Sequence, residues 1–172
     1  MQRLSQDPPP DRPEGCVDPS RHSKGQNEIV FDPSQHDVRE FFCTARRKLR
    51  GGEPLTPLEA IAADWIGQHP EYDGDLADVD AARHAHYPVE GGRTNPFLHL
   101  SMHLSISEQV SIDQPPGIRQ AFELLRPRLG SAHAAQHEVM ECLGEMIWQS
   151  QRSGRPPDGE RYLDRVRRRA TR

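Results

Sequence analysis

Residues 133–141 read His-Ala-Ala-Gln-His-Glu-Val-Met-Glu, and residues 95–103 read Asn-Pro-Phe-Leu-His-Leu-Ser-Met-His. In each stretch two histidines stand four residues apart. On an α-helix that spacing puts side chains on one face, one turn above the next; on a strand it would leave them about 13 Å apart. His133, His137 and Glu141 therefore form one ladder, and His99 and His103 a second. His99 and His103 share their face with Ile106 and Val110, so that face turns inward. Two helices that carry polar ladders into one interior must lie side by side, as in a bundle.

The rest of the chain is punctuated to match. Asp32-Pro33-Ser34-Gln35 reads as a helix start, with Asp at the N-cap, Pro at the first helical position and Gln at the third. Val38, Phe41, Phe42, Ala45 and Leu49 follow at helical spacing, and Gly51-Gly52 stops them. Thr56-Pro57-Leu58-Glu59 is a capping box opening a second helix through Ile61, Ala62, Trp65 and Ile66. His69-Pro70 closes it, because the residue before proline is driven out of helical geometry. Asn95-Pro96 opens a third helix, Ile118 to Gly130 makes a fourth, Ser131 caps a fifth, and Asp158 opens a last one bearing Tyr162, Leu163 and Val166. Asp73 to Arg93 is less regular, with room for a short helix near Asp78 to Arg83. Its aspartates do not fit an EF-hand, since no glycine falls at the sixth loop position and no glutamate at the twelfth. No segment alternates like a strand. The expected fold is all-α, a single compact bundle of five or six helices spanning residues 31–169.

Residues 1–28, with Pro8-Pro9-Pro10, Pro13 and Pro19 and no apolar period, read as a disordered tail. A hydrophobic content of 34%, low for a globular chain, fits a segment outside the core. A net charge of −4 with both signs mixed argues against the whole molecule being a polyanion binder. Cys16, Cys43 and Cys142 are odd in number and form no Cys-x-x-Cys, which removes a disulfide framework and a thiolate zinc site. With no basic-then-apolar leader and no bilayer-length apolar run, a cytoplasmic protein away from membranes is expected. Five of the last eight residues are arginine, but no nucleic-acid reading motif accompanies them. Contact with nucleic acid is therefore not expected, and a solvated, frayed helix end explains the run.

A single buried histidine is ordinarily hydrogen-bonded to a carbonyl or to a carboxylate such as Glu108 or Glu145. Two aligned pairs with a glutamate point instead to a transition metal, zinc or iron, held by His99, His103, His133, His137 and Glu141. His69 is a further candidate ligand, although a lone histidine at a helix end more often complements the helix dipole. The spacing of His99/His103 and His137/Glu141 is similar to hemerythrin-type di-iron bundles, without secure partners for that family's other two helices. Ferritin-like sites need Glu-x-x-His, which does not occur here, and neither does the zinc-protease motif His-Glu-x-x-His. Catalysis would need an open coordination position and a nearby acid or base. Glu108, Glu138 and Glu145 qualify by count alone, so the question of an enzyme stays open. The competing readings are a non-catalytic interaction module with a histidine-rich polar core and nucleic-acid contact through the C-terminal arginines.

Phe31-Asp-Pro-Ser34, Pro54-Leu-Thr-Pro-Leu-Glu-Ala-Ile61, His69-Pro-Glu-Tyr72, Asn95 to His103, Asp113-Gln-Pro-Pro-Gly117 and Met140-Glu-Cys-Leu-Gly144, with Gln109, His133, His137 and Trp148, resemble a bacterial family known as domain of unknown function 1841. The similarity runs from about Phe31 to Arg169. It implies a compact helical domain and no particular activity.

Overall fold

The computed structural model describes residues 34–88 and 92–172. The expected tail, and Asp32-Pro33, lie outside the described residues. The helices are α1 (Gln35–Gly51), α2 (Pro57–Gln68), α3 (Val79–His84), α4 (Pro96–Ile112), α5 (Ile118–Leu129), α6 (Ala132–Ser153) and α7 (Gly159–Thr171), with a 3-10 turn at Pro70–Tyr72. No strand occurs among the described residues. The count exceeds the expected five or six because the short helix α3 forms, its N-cap Asp78 accepting from the amides of Asp80 and Ala81. At α1 the cap is Ser34. Its hydroxyl accepts from Asp37 N–H while the Asp37 carboxylate accepts from Ser34 N–H at 2.9 Å. Thr56 and Glu59 make the same reciprocal pair at α2, and Asn95, Ser131 and Asp158 cap α4, α6 and α7.

Two apolar clusters hold the helices together. The first gathers Phe42, Cys43 and Ala45 of α1, Trp65 and Ile66 of α2, Leu76, Ala82 of α3, and Phe97 and Leu100 of α4. The second gathers Ile106 of α4 with Phe122 and Leu125 of α5, Val139 and Leu143 of α6, and Tyr162 and Val166 of α7. Helix α4 is thus shared, with its first turns in one cluster and its later turns in the other. Each fully buried Leu, Ile or Phe contributes roughly 1.5–3 kcal/mol. His103, with no exposed surface, sits on α4 between Leu100 and Ile106, at the seam.

The acidic stretch after α2 is structural. Asp73 receives a two-pronged bond from Arg46, both contacts 2.7 Å, and a further one from Arg50. These guanidinium groups hold its carboxyl well below the usual range. Asp75 accepts from Tyr87 and Arg93. The buried Arg39 donates to the carbonyls of Ala82, Arg83 and Ala85 at 2.8–3.0 Å, closing the C-terminal end of α3. Between α4 and α5, Asp113 Oδ1 accepts from the amides of Gly117 and Arg119. Gly117 has φ +98°, a backbone conformation that residues with a Cβ rarely adopt, so glycine is required there. The C-terminal arginines are not a frayed end. Helix α7 runs to Thr171 and buries Tyr162, Leu163, Val166 and Ala170, while Arg165 pairs with Glu145 and Arg169 with Glu138 and Glu141. No described helix is long and apolar enough to cross a membrane.

Candidate metal centre

Three elements meet at the seam: the C-terminal end of α2, the first half of α4 and the first two turns of α6. Pro70 is what brings the first of them in. His69, at φ −124° and ψ 63°, has left the helix, and the 3-10 turn that follows swings its ring inward, leaving it 3% exposed. His99 and His103 arrive from α4 and His133 and His137 from α6, each pair one turn apart.

The five rings point their Nε2 atoms at one another. His69 Nε2 lies 2.9 Å from His103 Nε2 and 3.1 Å from His133 Nε2. His99 Nε2 lies 3.1 Å from His103 Nε2 and 3.2 Å from His137 Nε2. The ligating atoms of His69, His99, His103 and His137 all fall within 4.8 Å of one another. His133 adjoins this group through His69.

The tautomers of the two innermost rings follow from their neighbours. Trp65 Nε1 can only donate, and it donates to Ser107 Oγ at 3.0 Å. Ser107 gives its one proton to the His103 carbonyl at 2.8 Å. The Gln136 amide nitrogen, 3.0 Å from Ser107 Oγ, must then be the donor there, which turns Gln136 Oε1 toward His103 Nδ1 at 2.7 Å. His103 therefore carries its proton on Nδ1 and a bare lone pair on Nε2. His69 Nδ1 lies 2.8 Å from Glu71 Oε1, and this bond holds the Glu71 carboxyl below its usual range, ionised and accepting only. His69 too is protonated at Nδ1 and bare at Nε2. Two lone pairs thus face each other across 2.9 Å.

The surroundings disfavour positive charge on the rings. Burial, reinforced by the neighbouring imidazoles, pushes His99 down to about 4. Burial also dominates at His103, pushing it down to about 3 against the opposing Gln136 bond. His133 and His137 are lowered for the same chief reason. The Trp65 ring covers His103, stacked at 4.1 Å between centroids and 10° between planes, and Tyr72 stacks on His69. His69 and His103 form the closed side, while His99, His133 and His137 are partly exposed and form the open one.

Of the residues singled out from the sequence, the five histidines come together and Glu141 goes elsewhere. Glu141 Oε2 lies 2.6 Å from Arg169 Nη1, and that guanidinium also binds Glu138, so α7 draws both carboxylates to the outside of α6. The expected likeness to hemerythrin-type sites loses its carboxylate step. Glu145 is occupied by Arg165. Sequence reasoning passed over Gln136, Ser107, Glu71 and Trp65. Ser107 carried a signal, because it is the third rung of the 99–103 ladder; Gln136, lying beside His137 in the chain, carried none.

The molecule is a helical bundle with a histidine-nitrogen centre set between two apolar clusters. It belongs to the family described as Domain of unknown function (DUF1841), whose model matches residues 34–168. No curated protein and no solved structure matches the chain.

Proposed function

We propose that this chain is a metal-binding helical-bundle protein. It holds one divalent transition-metal ion, zinc or iron, through Nε2 of His69, His99, His103 and His137, with His133 at the open side. The observation that carries the reading is the facing pair of lone pairs on His69 and His103, each fixed by the bond made at the opposite ring nitrogen. Two acceptors 2.9 Å apart repel unless a cation lies between them. On the His103 side a proton is disfavoured, because burial pushes that ring's pKa down to about 3. A metal ion suits the spacing. Ligands about 2.0–2.1 Å from one ion stand about 3.3–3.4 Å apart in a tetrahedron and about 2.9 Å apart at the adjacent corners of an octahedron. The neighbouring contacts, 2.9–3.2 Å, lie at and between those limits, and the four-histidine set, whose ligating atoms span up to 4.8 Å, would draw in slightly around one ion. The set is all imidazole, which favours zinc, iron, copper or nickel over calcium or magnesium. Glu71 and Gln136 are the outer partners that metal-bound histidines commonly have.

The test is elemental analysis of untagged protein purified without chelator after growth with zinc and iron supplied. One equivalent of a transition metal per chain is expected. Metal-free protein that also fails to take up zinc, iron, copper or nickel on dialysis would overturn the reading. It would leave the bundle with a histidine-rich polar core and no ion.

A further inference from the structure

Helix α6 runs for 22 residues, and its two ends differ in character. The histidines occupy the first two turns. The last two turns, the following loop and the first turns of α7 enclose a groove of about 540 Å³. Arg152, Arg155, Arg161 and Arg165 line it, with Trp148. A span of 15 residues from His137 to Arg152 puts the two sites about 22 Å apart along the helix.

Four arginines converging on one groove are unexpected in a chain of net charge −4. Only Arg165 is paired with a carboxylate, that of Glu145. Among the described residues, Arg152, Arg155 and Arg161 make no ion pair, and the one carboxylate lining the groove, Asp158, is engaged in capping the Arg161 amide. Trp148 is 54% exposed, which is uncommon for so large an apolar side chain, and the Arg152 guanidinium sits 5.1 Å from its ring centroid. The loop is held in shape: Ser150 Oγ donates to the Arg155 carbonyl, and the Arg155 amide donates to Ser153 Oγ.

We propose that this groove binds a nucleoside phosphate, its phosphates taken by Arg155 and Arg161 and its base stacked on Trp148. Arginine forks match phosphate oxygens in pairs, and exposed aromatic rings accept bases of any kind. The volume of this groove matches that of a site for one small ligand.

Isothermal titration of the full chain with ADP, inorganic phosphate and a 12-nucleotide single-stranded DNA tests this. ADP is expected to bind one to one, with inorganic phosphate weaker. The double variant Arg155→Ser/Arg161→Ser should weaken ADP at least ~10-fold, and Arg155→Lys, which keeps the charge and loses the fork, should weaken it by a smaller factor. Trp148→Ala should weaken ADP and leave phosphate unchanged. All three positions are remote from the histidines, so metal content should stay at the wild-type level in each variant. Three results would overturn the proposal: no ADP binding up to about 5 mM, ADP binding that survives the double variant and so resides elsewhere, or DNA binding ~100-fold tighter than ADP and lost in the same variant. The last would make the groove part of a nucleic-acid face.

Discussion

Gln136→Leu probes the centre without touching a ligating atom. Gln136 is 4% exposed, and its Oε1 accepts from His103 Nδ1 at 2.7 Å. Leucine has about the same size and accepts nothing, so the buried Nδ1–H is stranded and the ring loses what fixes its tautomer and plane. Two effects should follow, and they are separable. In metal-free protein the stranded donor costs about 1–3 kcal/mol. For a domain of this size that lowers Tm by about 3–10 °C. In metal-loaded protein, loss of the partner behind a ligating histidine lowers metal affinity about 10–100-fold, or 1.4–2.7 kcal/mol. The assay is a competition titration against a chromophoric chelator, run beside thermal unfolding of chelator-treated protein. Metal affinity within twofold of wild type, together with a lowered Tm, would refute the argument that Gln136 sets the His103 lone pair for a metal.

Three other perturbations have definite outcomes. In chelator-treated protein, stability should fall as the pH drops below about 6.5. The unfolded chain takes up protons there, while folded His103 and His99, lowered to about 3 and about 4, do not. The full contribution is present above pH 6.5, and the fully buried His103 alone should lose about 2 kcal/mol by pH 5, read as a shift of the urea midpoint; an unchanged midpoint between pH 7.5 and 5 would contradict it. Glu141→Gln should keep the full metal content by elemental analysis, because Glu141 faces Arg169 and not the cluster, whereas His103→Ala should strip it. Arg39→Met should destabilise by about 2 kcal/mol or more in chemical denaturation, since the buried Ala82 carbonyl and the half-buried carbonyls of Arg83 and Ala85 lose their donor together.

The helices were legible because their signals are local: a cap, an apolar period and a stop each lie within a few residues. Thr56 with Glu59, Asn95 with Pro96, and Ser131 and Asp158 all cap where the residue types indicate. The start of α1 was read two residues early because Asp32-Pro33 and Ser34 offer overlapping cap signatures, and Ser34 has the reciprocal partner in Asp37. The histidine ladders were legible for the same reason, being internal to single helices. What the chain hides is which helix faces which. Glu141 satisfies the ladder spacing yet is taken by Arg169, 28 residues on, a contact no spacing rule anticipates. His69 enters because a proline turns it inward, and its Nδ1 is engaged by Glu71 across that turn, a geometry that two-residue spacing alone does not announce.

The sharing of α4 between the two apolar clusters imposes an order on assembly. A chain made from its N-terminus releases α1 to α4, with His69, His99, His103 and the Trp65 cover, before any of α6. The gap from His103 to His133 is 30 residues. At about 5–20 residues per second it corresponds to a few seconds of synthesis. Throughout that interval the inner half of α4 has one neighbouring cluster and lacks the other, and His103 waits without Gln136. The seam therefore closes only when α6 arrives to complete the histidine ring, and α7 follows to finish the second cluster with Tyr162, Leu163 and Val166.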